Sequence, residues 1–189
     1  MTATPVVNSM APMSAAQHKA ALWADGQQQV YAVVMASRIP GLPGRLAEAD
    51  VLNHDCLIPG ALEPEQQQSA PYLLHLKRDS AFTDWLLFEA PLSLSEWGLL
   101  VRSSVGMTTL RNHLRRHLQA RLPSGHEISL NWMDRDIFIA LISHADAASL
   151  GPFFGPVSSF TLAGCQSWRH AALAFNGLQQ HEVPLARAA

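Results

Sequence analysis

The sequence predicts an α/β fold, a single mixed-sheet domain with flanking helices. Apolar, β-branched runs of strand length alternate along the chain with stretches of helical periodicity. The chain has 189 residues, 48% hydrophobic and 15% charged, which suits one domain with a real core. No internal repeat and no strong linker breaks the alternation.

Taken in order, residues 1–13 are expected to be a disordered N-terminus, residues 14–175 the domain, and residues 176–189 a flexible polar tail. Ser14 is placed to cap a helix over 15–24, anchored by Leu22 and Trp23. Val30-Tyr31-Ala32-Val33-Val34-Met35 reads as a buried strand. Pro40 and Pro43 mark a loop, and a helix is expected over 44–52 with Leu46 inward. Cys56-Leu57-Ile58-Pro59-Gly60 reads as a short extended piece closed by a turn. Glu63 to Gln68 is polar, an exposed loop or turn of helix. Residues 71–76 form a second strand, and Asp79 or Ser80 caps a helix that Pro91 stops.

Residues 97–136 hold the most informative stretch. A third strand, residues 99–102, leads to a helix over 107–121. Leu110, Leu114 and Leu118 recur every four residues, with Met107 and Leu122 in the same stripe. Pro123 is expected to end that helix, and a turn at Ser124-Gly125 to open a strand over 128–132. Asp134 and Asp136 then cap a helix with Ile137, Phe138, Leu141 and Ile142 inward. A short turn follows over 147–150. Gly151-Pro152-Phe153-Phe154-Gly155-Pro156 is expected to be irregular, because two Gly and two Pro flank two aromatics. Residues 157–162 form a closing strand, with 166–170 beside it.

No Asp or Glu lies between Glu96 and Glu127, whereas Arg102, Arg111, Arg115, Arg116 and Arg121 fall in that interval. The net charge is −2, so this basic patch is local, and general attraction to nucleic acid is not favoured. Three uses of Arg111, Arg115, Arg116 and Arg121 stay open. Arg115 and Arg116 can pair inside the domain with Asp134, Asp136 or Glu96, or all four can fork onto acidic groups of a protein partner or contact phosphates. Phe153 and Phe154 have two readings, a buried aromatic plug or an exposed anchor for a partner.

Enzymatic chemistry finds little footing. His113 and His117 have the i,i+4 spacing of a zinc pair, but HLRRH lacks the glutamate of HExxH and places arginines beside any metal. There is no G-x-S-x-G motif. Ser104 and Ser124 read as capping and turn residues, and Gly41-Leu42-Pro43-Gly44 lacks the Lys-Ser/Thr of a phosphate loop. Cys56 and Cys165 read as reduced thiols rather than a disulfide framework. No run reaches the ~20 apolar residues of a membrane span, and no signal-peptide pattern opens the chain. A protein that is not an enzyme, carries no cofactor and stays in the cytoplasm is expected.

The pieces VYAVVMA, CLIPG, APYLLHL, FTDWLL, WGLLVRS, LRNHLRRHL, LPSGHEISLNWMD and FFGPV, in that order over residues 29–160, resemble a known domain. It is the small adaptor or chaperone domain of bacterial type VI secretion gene clusters, long catalogued as a domain of unknown function. The resemblance implies a cytoplasmic adaptor that binds a cognate type VI effector and helps load it onto the VgrG spike protein. It implies no enzymatic activity; the alternative reading is a nucleic-acid-associated regulator using the basic helix 107–121, although the net charge does not favour a nucleic-acid partner and no run is long enough for membrane insertion. Pro71, Tyr72, Trp85, Trp97, Gly98, Leu114, Asp134, Gly155 and Pro156 match its motifs and are implied to be structural. Where the family pattern has Arg-Phe-Tyr-Asp-Pro, this chain has Asn131-Trp132-Met133-Asp134-Arg135, keeping the aspartate and an aromatic but not the arginine or proline. A second helical lobe after FFGPV, present in longer relatives, is expected to be short or missing.

Overall fold

A computed structural model describes residues 8–186 other than Ser95 and Pro123. A sheet of eight strands forms the middle layer, in the order β1-β10-β9-β8-β5-β2-β4-β3. The strands are β1 (Asn8–Ser9), β2 (Gln29–Met35), β3 (Asn53–Cys56), β4 (Pro71–His75), β5 (Gly98–Ser103), β8 (Val157–Ala163), β9 (Ser167–Ala174) and β10 (Gly177–Pro184). Every pairing is antiparallel except β1 with β10, so the sheet is mixed through that one parallel pair.

Period-two alternation sends each central strand's side chains to two separate cores. Val30, Ala32, Val34, Tyr72, Leu74 and Leu100 bury one way; Tyr31, Val33, Leu73, Leu99, Val101 and Phe160 bury the other. That is why β2 reads as a continuous apolar run. The first face is covered by α1 (Ala15–Leu22), α2 (Leu42–Glu48) and a helical run over 81–93. The second is covered by α6 (Met107–Arg115), α7 (Arg135–His144) and α8 (Ala147–Phe154). The result is an α/β domain with a helical layer on each side of the sheet.

The caps explain where several helices start. Ser14 and Gln17 form a reciprocal capping box at α1. Asp134 accepts from the Asp136 and Ile137 amides at α7, and Asp146 from the Ser149 amide at α8. The short helix α3 (Pro64–Gln67) is the exposed turn expected there.

Several expectations are corrected. Pro91 does not stop its helix. The run consists of α4 (Ala81–Asp84), a π turn (Trp85–Glu89) and α5 (Ala90–Ser93), with Pro91 directly after the π turn, where the widened turn accommodates it. The helix expected over 44–52 starts earlier and ends at Glu48, leaving Leu52 exposed. Asn53–Cys56 pairs with β4, so the extended piece begins before Cys56.

Helix α6 ends at Arg115, not Arg121, because Gln119–Arg121 forms β6 and pairs with β7 (Glu127–Ser129). The role expected for Pro123 lies outside the described residues. The segment 151–154 is helical rather than irregular. Pro152 costs α8 one internal bond, and the Asp146 cap and the burial of Phe153 and Phe154 offset it. The ends also differ from expectation. Met10, Met13 and Ala186 make backbone hydrogen bonds across the β10 edge, so residues 8–13 and 177–186 belong to the sheet. The disorder expected for residues 1–7 and the tail at 187–189 lie outside the described residues.

Candidate functional site

Helix α6 buries Leu110 and Leu114 completely on the sheet and turns its basic face toward β3, the outermost strand on that side. There Arg111 forms an ion pair with Asp55. Arg115 donates from Nε to the Leu57 carbonyl at 2.9 Å and from a terminal nitrogen to the Cys56 carbonyl at 2.7 Å. A planar guanidinium suits this two-pronged grip. Neither Arg115 nor Arg116 pairs with Asp134, Asp136 or Glu96: Arg115 is held by the two carbonyls, and Arg116 is exposed. Asp134 is engaged instead by Arg38 at 3.2 Å and by its own cap.

Arg116 and Arg121 stay exposed, and Arg121 Nε reaches only the Gly125 carbonyl at 3.3 Å. The structure thus divides the predicted basic face: two arginines fasten the edge of the sheet, and two face solvent beside the β6–β7 hairpin. That hairpin forms a two-stranded sheet of its own, with no further strand on either edge among the described residues. Leu122 and Ile128 on it are 41% and 40% exposed.

His113 and His117 serve packing. His113 Nε2 lies 2.9 Å from the Phe153 carbonyl oxygen, and the His117 ring meets the Phe153 ring edge-on at 5.2 Å. Burial, with His113 and Arg116 nearby, pushes the His117 pKa down, toward a neutral ring. Among the described residues no group of three or more His, Cys, Asp or Glu is arranged to hold a metal ion.

Phe153 and Phe154 pack against Phe160, which places them in the core at 6% and 2% exposure. The exposed-anchor reading of these two residues is therefore corrected. The aromatic side chain that does stand clear is Phe175, fully exposed between β9 and β10.

The remaining motif residues have structural partners. Trp97 is buried, and Trp85 lies half-buried beneath the Arg45 guanidinium at 4.9 Å. The Pro71 carbonyl accepts from the Leu57 amide, and Tyr72 donates to the Gln67 carbonyl at 3.3 Å. The Ser103 hydroxyl donates to the Pro156 carbonyl at 2.7 Å. Gly98 is required by close approach, since a Cβ there would lie 2.0 Å from the Val33 carbonyl oxygen at φ +142°.

Burial raises the pKa of the Cys56 thiol, which opposes a nucleophilic thiolate there; Cys165 is exposed and free. Sequence reasoning missed Asp55 as the partner of Arg111, because the two lie 56 positions apart with no local pattern linking them. It also missed the hairpin, although the turn at Ser124-Gly125 between two short polar stretches was a usable signal. No helix among the described residues is long and apolar enough to cross a membrane.

No curated protein and no solved structure matches the chain. One family model does, over residues 30–151, a span from β2 into α8 that takes in the basic helix and the hairpin. The chain belongs to that family, described as a domain of unknown function (DUF4123).

Proposed function

We propose that this domain is a cytoplasmic type VI secretion adaptor that binds a cognate effector and helps load it onto the VgrG spike protein, without catalysis. The observation that carries this reading is the ordered set of motifs over residues 29–160, together with the family match over most of that span. The structure supports a stoichiometric binder at the hairpin. Leu122 and Ile128 offer apolar surface there, and Arg116 and Arg121 offer charge beside it. Apolar contact would supply most of the affinity, and the arginines would set encounter rate and partner choice. A nucleic-acid reading has less support, because Arg111 and Arg115 are already spent on Asp55 and the Cys56 and Leu57 carbonyls.

The test is co-purification of the tagged chain with the effector and spike encoded beside it, at ~150 mM and ~500 mM salt. Effector retained at both salts supports an adaptor held by apolar contact. Retention lost only at the higher salt assigns the grip to the arginines. Nucleic acid in the eluate with neither protein would overturn the proposal.

A further inference from the structure

A cavity of about 360 Å³ lies at one end of the sheet, where Arg135 at the start of α7 faces the ends of β8 and β9 and the Glu182 position of β10. Its volume falls within the range of small-ligand sites, ~300–1,000 Å³. Its charged lining is two arginines, Arg135 and Arg169, and two glutamates, Glu96 and Glu182. Arg169 and Glu182 are direct cross-strand partners in the β9–β10 register. Yet the Glu182 carboxylate accepts the Ser167 hydroxyl, and neither arginine joins an ion pair among the described residues. Arg169 Nε is buried without an acceptor. A buried donor left unmet destabilises the fold, and an acceptor entering the cavity would satisfy it.

The balance of charge narrows the ligand. A phosphate dianion would meet two glutamates, and a simple cation two arginines. A group that carries a carboxylate and a donor nitrogen on the same carbon can use both sets, carboxylate to guanidinium and N–H to glutamate. We propose that this cavity binds an α-carboxylate with its adjacent nitrogen, the chemistry shared by a peptide C-terminus and a free amino acid. The site is separate from the hairpin, and the proposal stands whether or not the adaptor reading holds.

The test is a titration of the ¹⁵N-labelled full chain, followed by amide shifts at Cys165 to Arg169, with N-acetyl-alanyl-alanine, its C-terminal amide and free alanine. The expected result is saturable binding of a free carboxylate, at least about tenfold weaker for the amide and for Arg135→Gln and Arg169→Gln. Arg135 is exposed, so its variant keeps the test valid if Arg169→Gln fails to fold. Tighter binding of the acetylated dipeptide identifies a chain terminus as the source, and tighter binding of alanine a free amino acid; either supports the proposal. No saturation by either carboxylate up to ~10 mM, equal binding of the amide, or unchanged binding by Arg135→Gln would overturn it.

Discussion

Gly155 lies directly against the imidazole of His113: a Cβ at position 155 would come within 2.3 Å of the ring's Cε1. Gly155 ends α8 at φ +49°, and the same imidazole contacts the Phe153 carbonyl. The contact joins α6 to α8, so the glycine of FFGP is fixed by a neighbouring helix as well as by its own backbone. Gly155→Ala is expected to cost ~2–4 kcal/mol, combining a disfavoured φ with overpacking. Urea unfolding of the two proteins measures it. His113→Ala in the Gly155→Ala background should recover part of the loss, and an unchanged midpoint in Gly155→Ala would contradict the packing account.

Gly98 should tolerate substitution even less. The atom its Cβ would strike is backbone, the Val33 carbonyl oxygen, in the central pairing of β2 with β5. Rotamer change cannot relieve such a clash. Gly98→Ala is expected to lose the cooperative unfolding transition or to accumulate as insoluble protein, which circular dichroism and solubility report.

The two inward arginines should separate in magnitude. The Arg111–Asp55 pair is substantially solvent-accessible, so Asp55→Asn is expected to cost no more than about 1 kcal/mol. Arg115 satisfies two carbonyls at the edge of the sheet, so Arg115→Ala should cost more, ~2 kcal/mol. Chemical denaturation of the two variants compares them directly. Equal small losses would show that the Cys56 and Leu57 carbonyls do not depend on Arg115.

Acid should weaken the sheet at its β9–β10 end. Burial, aided by His181, His18 and Arg102, lowers the His170 pKa from 6.5 to about 4. The folded state thus binds fewer protons than the unfolded state between those values. Stability is full above pH 6.5 and is lost as pH falls toward 4, by up to ~3 kcal/mol for this group. His18, tilted against Trp168 with ring centroids 4.6 Å apart, and His181, stacked on His170 at 4.8 Å, shift in the same direction. Unfolding free energies measured from pH 7.5 to 5 should show the decline, and His170→Gln should flatten it.

Elements with a strong local pattern were legible in the sequence. Ser14 marked α1, Asp134 marked α7, and the continuous apolar run of β2 announced burial. The misreadings came where tertiary pairing decides. Gln179, Gln180, His181 and Glu182 look like a polar tail, but pairing with β9 makes them a strand. Gly151 and Pro152 look like helix breakers, but Asp146 and the buried Phe153 and Phe154 hold the helix together. The basic face was visible as composition. Its division into Arg111 and Arg115 inside, Arg116 and Arg121 outside, depended on β3, which no local spacing places beside α6.

The most direct measurement is a pull-down of the co-expressed effector by the tagged domain, wild type against Leu122→Ser/Ile128→Ser. Both changes fall on exposed residues, so the fold should survive, and its melting curve provides the control. The adaptor account predicts that the wild type retains effector and spike, and that the double variant, folded and equally abundant, loses the effector by about tenfold or more. A wild-type domain that retains neither protein would contradict the adaptor function. Full retention by the double variant would contradict the hairpin as its contact surface.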